Sequence, residues 1–243
     1  MEPAEYSLMD VAEERMWWYR ALHARAASAL LRRPGPEGPV LDAGCGTGGL
    51  LKRLAARVRR PVCGVEYDWG AAARARTKSG APVAAGTVNA LPFGEAEFAA
   101  VVSLDVLCHR SVDPNLALAE FRRVLKPGGT LVLNMPAYGW LFSAHDVRVH
   151  NARRTTAWAL RSQIAAAGFG EVEARYWNTL LFPLMVLQRK VIARRRDHAS
   201  DVGDFPAWLD AVLHGVTSLE LSLAQLGLRY PAGGSVLAVA TRP

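Results

Sequence analysis

The 243-residue sequence predicts an α/β fold built on a seven-stranded, mostly parallel sheet with helices on both faces. Three observations point there. Apolar strand-like runs alternate with helix-spaced segments between residues 39 and 134. One of those runs, Val40-Leu41-Asp42-Ala43, meets the glycine loop Gly44-Cys45-Gly46-Thr47-Gly48-Gly49 and passes directly into Leu50-Leu51-Lys52-Arg53-Leu54. A buried strand that turns through glycine into a helix is the nucleotide-binding corner of a doubly wound sheet. The third is size: a chain of this length, 51% apolar, suits one domain with additions.

Each element has a local reason. Ser7 stands where it can cap a helix over 8–32, whose apolar stripe is Leu8, Val11, Met16, Trp17, Tyr19 and Leu22. The Pro- and Gly-rich stretch 32–39 ends it. Strands are expected near 39–42, 61–66, 82–85, 99–104 and 129–134, with helices near 48–59, 69–79 and 114–125 between them. Residues 136–155 make a polar and aromatic connection, too long for an ordinary loop. A helix over 156–167 stops at Gly168, and a strand follows at 171–177. An apolar-then-basic helix spans 179–196, another spans 206–226, and the last strand, Ser235 to Thr241, is expected to close the sheet.

The glycine loop alone is ambiguous, because Gly44, Gly46 and Gly49 also meet the dinucleotide spacing G-x-G-x-x-G. Two carboxylates tilt it. Asp42 sits just before the loop, where it faces a cationic ligand rather than a pyrophosphate. Glu66, at the end of the next strand, lies at the spacing expected for ribose hydroxyls.

The stretch Val40 to Gly48 resembles the first motif of the class I S-adenosylmethionine (SAM) methyltransferases. Three more stretches match in order. Gly86-Thr87-Val88-Asn89-Ala90-Leu91-Pro92-Phe93 resembles the segment before the fourth strand in the ubiquinone/menaquinone-type branch, with Thr87-Val88 where an Asp-Ala pair usually meets the adenine. Val101 to His109 resembles the fourth strand and its exit. Val124-Leu125-Lys126-Pro127-Gly128-Gly129-Thr130-Leu131 resembles the turn into the fifth strand. More loosely, Trp17-Trp18-Tyr19-Arg20, Ser143-Ala144-His145-Asp146 with His150 and Arg153-Arg154, and Tyr230 to Ser235 match a bacterial subgroup with no single substrate.

The resemblance implies a Rossmann-like single domain in three parts: an N-terminal helical lid over 1–35, a SAM-binding core over 36–135, and an acceptor side over 136–243 with a helical insertion near the C-terminus. It implies that the backbone of Gly44, Cys45 and Gly46 cradles the methionine part of SAM, with Asp42 near its ammonium and Leu104 and Asp105 offering backbone there. Glu66 takes the ribose, Tyr67 covers the adenine, and Thr87, Val88 or Asn89 meets the adenine amine. Arg20 is expected to reach the cofactor carboxylate from the lid, with a solvated helix charge as the alternative.

On the acceptor side His145 is the candidate base, since histidine titrates near neutrality. Asp146 is a candidate partner or a loop anchor, and His109 a candidate beside the transferred methyl. His23, His198 and His214 read as incidental. Trp17, Trp18, Tyr138, Trp140, Phe142 and Trp177 are candidate walls for a flat or greasy acceptor. The expected reaction is methyl transfer from SAM to a small aromatic or heterocyclic molecule, with S-adenosylhomocysteine as product. An RNA, lipid or quinone methyltransferase and a non-catalytic SAM-binding module remain alternatives.

Composition narrows the partners. The net charge is +7, yet four of the 29 basic residues are lysine and the rest are scattered apart from Arg194-Arg195-Arg196, which argues against a nucleic-acid partner. No run of eighteen apolar residues occurs, so no bilayer span is expected. Residues 1–5 lack the pattern of a signal peptide. Cys45, Cys63 and Cys108 show no C-x-x-C spacing and read as reduced cytoplasmic thiols. The spacing of His145, Asp146 and His150 is loose for a metal, and none is expected. A cytoplasmic monomer or homodimer is the expectation.

Overall fold

The computed structural model describes residues 3–33, 35–189 and 205–243. Among them seven strands form one sheet: β1 Val40–Ala43, β2 Val62–Glu66, β3 Val83–Ala85, β4 Phe98–Leu104, β5 Leu125–Pro136, β6 Gly170–Trp177 and β7 Ser235–Thr241. Their order is β3-β2-β1-β4-β5-β7-β6. β1 to β5 run parallel to one another, while β7 lies antiparallel between β5 and β6. The expected mostly parallel, seven-stranded sheet is present, with one correction. The last strand does not close the sheet but enters it, and β6 takes the edge. Val236, Ala238 and Ala240 of β7 are fully buried, as an interior strand requires. β6 instead exposes Glu171, Glu173 and Arg175, charges suited to an edge.

The helices are α1 Pro3–Ala12, α2 Trp17–Leu31, α3 Gly49–Arg57, α4 Trp69–Ser79, α5 Pro114–Val124, α6 Ala144–Arg148, α7 Ala157–Ala166, α8 Phe182–Leu187 and α9 Ala207–Gln225. Alternate strand residues serve opposite faces. Leu41, Val101, Leu131 and Leu133 pack with Leu118 and Phe121 of α5 and Leu160 and Ile164 of α7. Val40, Ala100, Val102 and Val132 pack with Ala26, Ala27 and Leu30 of α2 and Leu50 and Leu54 of α3. Local caps set the helix starts. Asp68 accepts from the Ala71 amide at the head of α4, and Asp113 does the same for Asn115 and Leu116 at the head of α5, where Pro114 opens the first turn.

The expected helix over 8–32 is two helices. The chain turns at residues 13–16, closed by the Arg15 and Met16 amides donating to the Ala12 carbonyl. That turn sends the Glu13 side chain down to the glycine loop, where the Thr47 hydroxyl and the Lys78 ammonium donate to it. Ser7 lies inside α1 rather than at its cap. The connection 136–155 contains a short 3-10 turn, Gly139–Leu141, and α6. Of the helix expected over 179–196, α8 covers the early part, and Arg194-Arg195-Arg196 and His198 lie outside the described residues.

Candidate active site

The parallel strands deliver their carboxyl ends to one edge of the sheet, where this fold class binds ligands. A cavity of about 870 Å³ opens there, lined by Asp42 and Gly44 at the end of β1, Glu66 and Tyr67 at the end of β2, Thr87 after β3, Leu104 and Asp105 at the end of β4, and Pro136 at the end of β5. That volume lies within the range of small-molecule and cofactor sites.

Its floor is the glycine loop. Gly44 has φ +83°, and a side chain there would collide with Val106. Gly48 has φ +94°, and its added Cβ would lie 2.6 Å from the Ala75 backbone. The loop is therefore both left-handed and crowded, which glycine alone satisfies. Gly44, Cys45 and Gly46 line the cavity.

Two buried carboxylates flank the loop. Asp42 is 2% exposed, and its Oδ2 has no hydrogen-bond partner among the described residues. Burial, reinforced by the charges of Glu13 and Glu66, pushes its pKa well above the usual carboxylate range. A carboxylate oxygen held this way is a receptor for a cation or an N–H donor. Glu66 accepts from the Gly46 amide (2.9 Å), the Asp68 amide (3.1 Å) and the Tyr6 hydroxyl of α1 (3.1 Å). Its position at the end of β2 leaves it lining the cavity.

After β4, Asp105 takes φ +54°. Its amide donates to the Asn134 carbonyl and its Oδ1 accepts from Asn134 Nδ2 at 2.9 Å. Asn134 Oδ1 in turn accepts from Trp177 Nε1 at 2.8 Å. Burial pushes the Asp105 pKa up to about 6 against the lowering effect of the Asn134 bond.

The expected cofactor residues Asp42, Gly44, Cys45, Gly46, Glu66, Tyr67, Thr87, Val88, Asn89, Leu104 and Asp105 all line this one cavity. Arg20 does not. It pairs with Asp210 of α9 at 3.3 Å, and Asp210 also accepts from the Trp17 amide, so the arginine braces the start of α2. Tyr6, Met9, Glu13 and His23, which local sequence patterns do not single out, line the cavity too. Met9 lies over Gly46, and Glu13 is drawn there by groups 34 and 65 residues away.

On the acceptor side His109, His145 and His150 line the cavity. Burial lowers the His109 pKa to about 4, which keeps its ring neutral at neutral pH. Asp146 is not a catalytic candidate. It is fully buried, and Ser143, Asn151, Arg154 and Arg189 all donate to it, at 2.9 to 3.4 Å. Its carboxylate and Ser143 form a capping box that starts α6. This places His145 in the first turn of that helix.

The aromatic wall is corrected as well. Trp17 and Trp18 line the cavity, but Tyr138, Trp140, Phe142 and Trp177 do not. Tyr138 stacks with Trp140 and Tyr176, and Trp140 and Phe142 are about half exposed. Trp177 stacks on Trp18 and holds Asn134. In their place α8 and α9 contribute Leu181, Leu184, Met185, Leu209 and Leu213.

Residues 41–133 match the family model described as a methyltransferase domain. The chain is 34% identical over 131 residues to the 24-methylenesterol C-methyltransferase 2 of Oryza sativa subsp. japonica, covering 50% of this chain and 34% of that protein. The chain spans about a third of the length of this and the other leading curated relatives. A solved structure from Thermotoga maritima, described as a SAM-dependent methyltransferase and possible histamine N-methyltransferase, superposes with a TM-score of 0.62 at 20% identity, covering 99% of this chain and 95% of that one. A geranyl diphosphate C-methyltransferase from Streptomyces coelicolor A3(2), solved with Mg2+, geranyl diphosphate and S-adenosylhomocysteine, gives 0.62 at 17% identity over 93% of this chain and 78% of that one. At such identities the likeness is one of fold.

Proposed function

We propose that this chain, whose residues 41–133 match a methyltransferase domain, is a class I SAM-dependent methyltransferase that transfers a methyl group from SAM to a small apolar acceptor. The observation that carries the reading is the pair Asp42 and Glu66 flanking a glycine cradle at the floor of one cavity. The unpartnered Oδ2 of Asp42 suits the ammonium of the methionine part, and Glu66 suits ribose hydroxyls. SAM supplies an electrophilic sulfonium methyl, so the protein has to align the reactants and exclude water.

The chain's residues divide that work. The lid helices α1 and α2 cover the cofactor end through Tyr6, Met9 and Tyr19. The Trp177–Asn134–Asp105 chain of hydrogen bonds holds the exit of β4, which faces the methyl donor in this reading. At the acceptor end the aliphatic side chains of α8 and α9 beside Trp17 and Trp18 favour an apolar body. They support this better than a flat ring held among Tyr138, Trp140 and Phe142. The sterol and the prenyl chain of geranyl diphosphate, named for two of the similar proteins, are apolar bodies of this kind.

Where the acceptor carries a proton to lose, His145 is the base and His109, neutral and lining the same cavity, the second candidate. The test is release of S-adenosylhomocysteine from SAM with a panel of prenyl alcohols, sterols, phenols and indoles. Turnover confined to the phenols and indoles would overturn the apolar-body reading, and turnover with none would overturn the activity. His145→Ala is expected to lower turnover while leaving S-adenosylhomocysteine affinity unchanged. Equal turnover in that variant would remove the histidine from the mechanism.

A further inference from the structure

We propose that His23 on α2 holds the carboxylate of the cofactor's methionine tail, opposite the Asp42 carboxylate that holds its ammonium. This rests on the methyltransferase reading above and adds the side chain that selects a ligand carrying a free amino-acid end.

The placement follows from packing. Ala26, Ala27 and Leu30 of α2 lie against Val40, Leu50 and Leu54. The N-terminal half of α2 therefore runs on past the end of β1, and the face bearing Met16, Tyr19 and His23 lines the cavity together with Leu50, Asp42 and Gly44. His23 is 5% exposed, and its Nδ1 has no hydrogen-bond partner among the described residues. A buried ring nitrogen without a partner is costly, so its persistence at a cavity wall points to a ligand group that completes it.

Other basic side chains near this end are engaged. Arg20 is held by Asp210, Lys52 by Glu14, and Lys78 by Asp10 and Glu13. Arg53 donates to the Glu14 carbonyl. Burial, with Arg53 and Lys78 nearby, lowers the His23 pKa to about 3, so the ring meets the tail as a neutral N–H donor. On its own helix the Tyr19 ring lies 6.1 Å from the His23 ring, and Glu13 and Asp42 line the same cavity. An unbalanced anion, such as the tail carboxylate, finds in His23 a donor that does not already belong to another carboxylate.

The experiment compares two ligands that share the adenosine and thioether but differ in the amino-acid end: S-adenosylhomocysteine, which has it, and 5′-methylthioadenosine, which lacks it. Calorimetry on the full chain is expected to show that His23→Leu weakens S-adenosylhomocysteine by roughly tenfold to a hundredfold while 5′-methylthioadenosine binds as before. His23→Gln, whose amide can still donate, is expected to restore most of the difference. Equal losses for both ligands, in either variant, would mean that His23 only supports the wall and would overturn the proposal. Unchanged binding of both would overturn it as well. A wild-type chain that binds neither ligand would instead overturn the methyltransferase reading on which it rests.

Discussion

Asp42 and Asp146 are both buried carboxylates, 2% and 0% exposed, and they represent the two halves of the molecule. On the cofactor side Asp42 is left with an unpartnered oxygen, and burial drives its pKa up. On the acceptor side burial would also raise the pKa of Asp146, but the charge and hydrogen bonds of Arg154, with donors from Asn151 and Ser143, bring it below the usual value. One carboxylate keeps an unpartnered oxygen at the cavity wall; the other is fully engaged by donors from its own chain. Burial alone does not mark a group for a ligand; an unpartnered atom at a cavity wall is the further observation that separates Asp42 from Asp146.

The largest effect expected from this contrast is on stability. Removing Asp146 leaves Arg154, 3% exposed at its side chain, without its counter-charge. Asp146→Ala is expected to lower the unfolding free energy by about 3–5 kcal/mol. Urea denaturation measures it, and a loss below about 1 kcal/mol, the scale of a surface pair, would dissolve the contrast.

Asp42→Asn is expected to do the opposite. S-adenosylhomocysteine binding should weaken by about tenfold or more, because a charge-assisted bond is lost. The urea midpoint should stay level or rise, because the unpartnered buried charge is gone. A lowered midpoint with intact binding would reassign Asp42 to the scaffold.

The third expected effect is on pH dependence, with opposite signs at the two sites. The folded pKa of Asp146 is depressed, so its stabilisation is present above the unfolded value of about 3.9 and is lost as pH falls through the folded value. The stability gap between wild type and Asp146→Asn should therefore narrow towards pH 3. The folded pKa of Asp42 is raised, so its contribution is complete below the unfolded value and is lost as pH rises through the folded one. Asp42→Asn should then gain on wild type as pH rises. Urea midpoints of the three proteins between pH 3 and pH 8 check both signs, and parallel behaviour of the two variants would sink the comparison.

The smallest effect concerns the aromatic cluster outside the cavity. Trp140→Ala is expected to change turnover by no more than about twofold, as for an exposed substitution. Met185→Ala, at the cavity wall, should raise the acceptor KM instead. A larger effect from Trp140 than from Met185 would return the aromatic cluster to the acceptor site.

The cofactor half was legible because its signals are local. Asp42, the glycines at 44–49 and Glu66 lie within 25 residues, and the strand–turn–helix pattern that positions them is written in consecutive residues. The other half of the cavity is assembled by long-range contacts, such as Arg20 and Trp17 with Asp210 and Arg25 with Glu220. Residue types there, such as the tryptophans or His145-Asp146, suggested chemistry that only their partners could assign.

By itself the sequence determined the order of strands and helices, the left-handed glycine turn and the two carboxylates beside it, because backbone sterics and hydrophobic period act within a few residues. The tertiary structure decided that β7 enters the sheet rather than edging it and that the N-terminal segment breaks at Glu13. It also decided which buried polar groups are satisfied. Asp146 and Arg20 found partners, while Asp42 and His23 kept an unpartnered atom at the cavity wall. Hydrogen-bond satisfaction depends on neighbours brought from distant parts of the chain, and no local pattern encodes it.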